Sequence, residues 1–293
     1  MDVAGKAADP GIKTVGVVGC GLMGSGIAQV CAQRGFATFV REVNPDLLSK
    51  GTQRLTGFLQ QGVARGKVTS EEMTATLSRL RWTTKVEDLR ECDIVIEAIT
   101  ENLDAKRALF VELDRVLPSD AVLASNTSSI SITRIASATK RPGQCIGLHF
   151  MNPVPVMKLV EIVRPEVTSQ GTYDRCKAFA EALGKVTVTA KDTPGFIVNL
   201  LLVPYLCEAA RAVDQGLTTP QDVDTAMKLG CGMPMGPIEL LDFVGLDTTL
   251  YIMDVLFDEF RDPKYAAPPL LRRMVAAGWH GKKVGRGFYT YAN

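Results

Sequence analysis

The stretch from Lys13 to Glu42, KTVGVVGCGLMGSGIAQVCAQRGFATFVRE, restricts the fold more than any other part of the chain. Thr14 to Val18 is a β-branched run of the kind that forms a strand buried on both faces. Gly19-Cys20-Gly21-Leu22-Met23-Gly24 follows directly. Apolar residues then recur at helical spacing (Ile27, Ala28, Val30, Cys31, Ala32) until Gly35 stops the helix, and Phe36 to Val40 forms a second strand ending at the acid Glu42. Strand, glycine turn, helix, strand and acid together predict a dinucleotide site. Gly19 permits the tight turn, Gly21 lets backbone approach a pyrophosphate, and Gly24 brings helix and strand close. Leu22 and Met23 complete the loop, and the helix N-terminus offers unpaired N–H groups to phosphate. Glu42, about 20 residues beyond the first glycine, can accept both ribose hydroxyls and repel a 2′-phosphate, which favours NAD over NADP.

Composition excludes several function classes. With a net charge of +1 across 293 residues, nothing points to nucleic acid or to an anionic membrane surface. No apolar run reaches the ~18 residues of a membrane span. The first dozen residues are small and polar, without the core of a signal peptide. The seven cysteines are scattered, form no CxxC pair and mostly lie in apolar runs, so they read as small core residues in a reducing, cytoplasmic compartment. No metal site is expected.

Further along, Asn44-Pro45 opens a long helix to about Arg65, with Leu47, Leu48, Leu55, Phe58 and Leu59 as inward candidates. Thr69-Ser70-Glu71-Glu72 reads as the cap of a second helix ending near Leu80. This arm, residues 45–80, is too long for an ordinary crossover and can wall a large substrate, its Arg54, Arg65 and Lys67 meeting phosphates. Strands are expected at 79–83, 93–99, 121–124, 145–150, 158–163 and 186–189. Asp192-Thr193-Pro194-Gly195 marks a boundary, after which the pattern is wholly helical. The prediction is a doubly wound, mostly parallel α/β domain over 1–195 and an all-α domain over 196–293, the latter apolar enough to suggest a homodimer.

Two clusters carry the chemistry. Ser125-Asn126-Thr127-Ser128-Ser129 lies at the carboxyl end of a strand, where open parallel sheets bind ligands. His149 ends the strand Cys145–Phe150, and Lys158–Val163 returns from it, so Glu161 can come beside the histidine. Hydride transfer from an alcohol needs a base for the hydroxyl proton, and a histidine fixed by a carboxylate supplies one near neutral pH.

The motifs GCGLMGSGIAQ, ASNTSSISIT, GLHFMNPVPVMKLVE, DTPGFIVN, AMKLGCGMPMGPIELLDFVGLD and GKKVGRGFY together resemble the (S)-3-hydroxyacyl-CoA dehydrogenase family, and within it the bacterial 3-hydroxybutyryl-CoA branch. The resemblance covers nearly all of the chain after the first dozen residues. It implies an NAD-dependent interconversion of (S)-3-hydroxyacyl-CoA and 3-oxoacyl-CoA with short acyl chains, in fatty-acid or butanoate metabolism. By that resemblance His149 is the acid/base and Glu161 its partner. Ser128 and Asn199 hold the substrate's 3-oxygen and the nicotinamide in register. Glu101, Lys106, Asn152 and Lys283 fall on cofactor-contact positions, and the arm clamps the CoA, with Arg65 and Lys67 as contacts. The chain departs from the family pattern at Leu200, where arginine is usual, and at Gln60 and Gln61, where lysines are common.

Two other readings stay open: a dehydrogenase of a free hydroxy acid, as in the related gulonate-oxidising branch, and an NAD-binding structural or sensor protein without turnover. The intact Ser128, His149, Glu161 and Asn199 argue against the second.

Overall fold

The computed structural model describes residues 11–291, so most of the polar lead-in lies outside the described residues. The chain divides into two compact units, the first ending at Thr193 and the second beginning at Pro194.

The first unit is an eight-stranded sheet in the order β3-β2-β1-β4-β5-β6-β7-β8. The strands are β1 (Thr14–Val18), β2 (Ala37–Arg41), β3 (Leu80–Thr83), β4 (Ile94–Glu97), β5 (Val122–Ser125), β6 (Cys145–Phe150), β7 (Leu159–Arg164) and β8 (Val186–Lys191). Every pairing is parallel except β6 with β7. The strand order reverses between β1 and β4, which opens a crevice at their carboxyl ends. Because side chains alternate across a strand, the sheet feeds two cores. Ile94 and Ile96 point into the core shared with α1 (Leu22–Gln33), α2 (Pro45–Ala64) and α6 (Gln170–Ala182). Val95 points into the one shared with α4 (Leu103–Val116) and α5 (Ile132–Ala136).

The arm consists of α2, capped by Asn44, and α3 (Ser70–Ser78), capped by a reciprocal Thr69/Glu72 box. Only part of the expected inner stripe is inward. Leu55 and Leu59 are fully buried, whereas Leu47 and Phe58 are 41% and 37% exposed. The buried positions Gly51, Leu55 and Leu59 recur every four residues, and that narrow stripe carries the contact. Gly51 lets α2 approach the glycine loop, since a Cβ there would lie 2.1 Å from Cys20 Sγ. Six of the cysteines are buried as expected; Cys231 is exposed, near the end of a helix rather than in a core.

The second unit is helical: α7 (Val198–Asp214), α8 (Pro220–Cys231), α9 (Pro237–Val244), α10 (Leu246–Phe260) and α11 (Pro269–Ala276). Its core gathers Val203, Leu206, Leu241, Met253, Leu256 and Leu271. Two buried carboxylates fasten the C-terminal tail. Asp242 accepts from the Phe288 and Tyr289 amides and the Tyr291 hydroxyl. Asp224 accepts from the Tyr289 hydroxyl and the amides of Ile238 and Glu239.

Candidate active site

The glycine loop has the shape its sequence demands. Gly19 has φ +93°, and a Cβ there would lie 2.5 Å from the Ala98 carbonyl oxygen. A Cβ on Gly24 would lie 1.8 Å from the Gly19 carbonyl oxygen, so helix and turn touch through backbone. A Cβ on Gly21 would meet nothing within 4 Å. Gly21 is also the N-cap of α1 and offers no side-chain cap, so the first amides of the helix face an open surface. Leu22 is 52% exposed at that mouth, with Met23 half-buried beside it. At the end of β2, Glu42 accepts from the Cys20 amide (2.6 Å) through Oε1 and from the Val43 amide (2.9 Å) through Oε2. Its carboxylate is thereby fixed against the loop, with further lone pairs for a ribose diol. A dinucleotide fits this cradle: open backbone for the pyrophosphate, an oriented acid for the sugar.

Beside it, a buried charge network shapes the serine-rich loop. Lys106 is 1% exposed, its ammonium 2.6 Å from Glu97 and 3.1 Å from Glu101. Glu97, fully buried at the end of β4, also accepts from the Ser125 hydroxyl (2.6 Å) and the Ile99 amide (2.7 Å). Glu101 in turn accepts from the Thr127 hydroxyl, the Ser128 amide (2.9 Å) and, at 3.4 Å, the Ser128 hydroxyl. Burial alone would raise the Glu101 pKa. The Lys106 ammonium, the Thr127 hydroxyl and the Ser128 amide outweigh it and hold the carboxyl below its ordinary value. Lys106, expected as a cofactor contact, is enclosed between these two carboxylates and pairs directly with Glu101. Glu97 was missed from sequence. The available signal was an acid closing the apolar run Ile94-Val95-Ile96, since a buried carboxylate needs a partner.

His149 and Glu161 face each other across the antiparallel β6–β7 pair. His149 Nδ1 lies 2.6 Å from Glu161 Oε2, with the two residues 6% and 0% exposed. Because β1, β4, β5 and β6 are parallel, this pair lies on the same edge of the sheet as the glycine and serine loops. The Phe150 amide donates to Asn126 Oδ1 (2.9 Å), which ties the histidine strand to the serine-rich segment.

Behind the loop after β6 lies a groove of about 440 Å³. Gln29 and Gln33 of α1 form one wall. Phe58, Gln61, Arg65 and Lys67 of the arm form a second, and the segment from Asn152 to Val156 a third. Arg65 and Lys67 thus share one cavity. Arg54 does not join them: its guanidinium donates to the Cys20 carbonyl (2.8 Å) and binds the arm to the glycine loop. Asn199 and Lys283 belong to the second unit. Asn199 sits in the first turn of α7, and Lys283, in a turn over Lys282–Val284, pairs with Asp247 at 2.7 Å.

Among the described residues, no group of three His, Cys, Asp or Glu side chains could hold a metal, and no helix is long and apolar enough to cross a membrane.

Comparison with known proteins shows the family to which this chain belongs. Residues 14–193 match the model of the 3-hydroxyacyl-CoA dehydrogenase NAD-binding domain, and residues 195–291 match that family's C-terminal domain. The 3-hydroxybutyryl-CoA dehydrogenase of Mycobacterium tuberculosis is 51% identical over 282 residues, covering 96% of this chain and 99% of that protein. The human mitochondrial hydroxyacyl-coenzyme A dehydrogenase is 46% identical over 288 residues, covering 96% of this chain and 91% of that protein. Among solved structures, the (S)-3-hydroxybutyryl-CoA dehydrogenase of Ralstonia eutropha superposes with a TM-score of 0.92 at 44% identity, covering 96% of this chain and all of that one. The chain belongs to the 3-hydroxyacyl-CoA dehydrogenase family, NAD-dependent oxidoreductases, and its first unit is the family's NAD-binding domain.

Proposed function

We propose that the protein interconverts (S)-3-hydroxyacyl-CoA and 3-oxoacyl-CoA, with short chains such as 3-hydroxybutyryl-CoA and acetoacetyl-CoA preferred. The observation that carries this reading is the His149–Glu161 pair at 2.6 Å on the edge of the sheet that bears the glycine loop. When bound, NAD supplies a nicotinamide C4 that accepts the hydride from substrate C3. His149 takes the hydroxyl proton on Nε2 during oxidation and returns it during reduction. Glu161 fixes the tautomer through Nδ1 and stabilises the imidazolium that forms. Ser128, held by Glu101, orients the 3-oxygen, and Asn199 acts with it. Glu42 takes the ribose, while Asn152 and Lys283 make further cofactor contacts.

The groove receives the CoA portion. Arg65 and Lys67 offer charge to its phosphates, and Phe58 with Val156, 37% and 69% exposed, offers apolar wall. NADH absorbance with acetoacetyl-CoA tests the whole proposal. Turnover that disappears in His149→Ala supports it. Equal turnover of free acetoacetate would instead favour the hydroxy-acid reading.

The protein further acts as a homodimer in a reducing cytoplasm. Leu201, Leu217 and Leu229 of the second unit are 69%, 77% and 83% exposed, and the described thiols are all unpaired. Sedimentation equilibrium at micromolar protein checks the dimer; a purely monomeric mass rejects it.

A further inference from the structure

The wall of the groove formed by residues 152–157 has no regular secondary structure, yet it is held from two sides. On one side Val154, 2% exposed, lies against α1 at Gly26, where a Cβ would come within 2.9 Å of the Val154 Cβ. On the other side is Lys185, in the turn between α6 and β8. Its ammonium donates to the Val154 carbonyl (2.5 Å) and the Met157 carbonyl (2.8 Å). The residue is only 8% exposed, and both of these bonds go to backbone carbonyls. Burial, with Arg34 nearby, pushes its pKa down, so the environment is set against the charge. A lysine kept in so costly a place has its hydrogen-bonding capacity directed at one segment. Two charge-assisted bonds span Val154 to Met157 and fix the course of the chain between them. Val156, which faces the groove, lies inside that span.

We propose that Lys185 is a positioning residue for the thioester substrate: by pinning the carbonyls of Val154 and Met157 it sets the wall against which the CoA portion rests. It touches neither the reacting carbon nor the cofactor and does not change the hydride-transfer step. The proposal rests on the reading of the groove as the CoA site.

The test compares acetoacetyl-CoA with the same acyl group on N-acetylcysteamine, which lacks the part of CoA that fills the groove. Lys185→Met is expected to raise KM for acetoacetyl-CoA about tenfold, in keeping with the loss of charge-assisted hydrogen bonds. KM for the truncated thioester and kcat for both substrates stay within about threefold of wild type. Lys185→Arg, which retains donors and charge, restores most of the KM. A second variant, Gly26→Ala, displaces Val154 from the α1 side and is expected to show the same selective rise, so the test survives if Lys185→Met fails to fold. An equal rise in KM for both substrates, a kcat loss shared by both, or an arginine variant no better than methionine would each overturn the assignment. The combined Arg65→Ala/Lys67→Ala variant separates the two levels. If it leaves the KM ratio of the two thioesters unchanged, the groove is not the CoA site. If it shifts that ratio while the Lys185 and Gly26 variants do not, only the role of Lys185 fails.

Discussion

His149 and Glu161 are twelve residues apart in sequence and 2.6 Å apart in space, and each has a different job in the proposed chemistry. His149→Ala is expected to lower kcat by about 100-fold or more, the scale of a lost general acid/base. Glu161→Gln keeps a hydrogen-bond partner but removes the charge that stabilises the imidazolium. It should lower kcat by about tenfold or more with little change in NADH affinity. Loss of NADH binding in this variant would mean that Glu161 has another role. Gly24 carries a second prediction at this scale. Its missing Cβ would sit 1.8 Å from the Gly19 carbonyl oxygen, and backbone on both sides leaves nothing flexible to yield. Gly24→Ala should lose NADH binding, measured by fluorescence titration, and roughly 2 kcal/mol or more of stability.

At the scale of elements, the arm and the loop after β6 form facing walls of one groove, to which the proposed function assigns the CoA portion. The arm is joined to the glycine loop through Gly51 and Arg54, and presents Arg65 and Lys67 to the groove. Its basic residues therefore separate by position. Arg65→Ala combined with Lys67→Ala should raise KM for acetoacetyl-CoA by about tenfold while NADH affinity holds, because Arg54 and not this pair is bonded to the glycine loop. Arg54→Ala should weaken NADH instead, since it releases the Cys20 carbonyl and with it the loop. Steady-state kinetics and NADH titration of the two variants distinguish these outcomes.

For the molecule as a whole, the buried Glu97–Lys106–Glu101 network links catalytic geometry to stability. Glu101 is held below its ordinary pKa, so the native state binds protons less readily than the unfolded chain there. Its stabilising contribution is complete above about pH 4.3, the unperturbed glutamate value, and is lost as pH falls through the lower native value. Glu101→Gln should therefore flatten the acid limb of a Tm-against-pH profile below about pH 4 and lower Tm at pH 7. An acid limb identical to that of wild type would place the acid sensitivity in other carboxylates.

The chain's own order of residues determined the doubly wound sheet, the glycine cradle, the capped arm and the pairing of His149 with Glu161. Each follows from local spacing: period-2 and period-3.6 burial, glycines where a Cβ has no room, and a strand that turns back on its neighbour. Asn44 and Thr69 mark their helix starts in the same way. What depended on distant segments meeting could not be read from spacing. Lys106 was expected only as a cofactor contact, and its enclosure between two carboxylates depends on segments that no local spacing connects. Leu47 and Phe58 fit an inner stripe that the real helix contact leaves half outside. Lys185 lies 31 residues from Val154 with no motif to connect them, and Asp242 gathers a tail 46 residues further on. Burial of a charge is a property of everything packed around it, so local periodicity cannot encode it, and only the tertiary structure decided which ionised side chains serve the site from beneath.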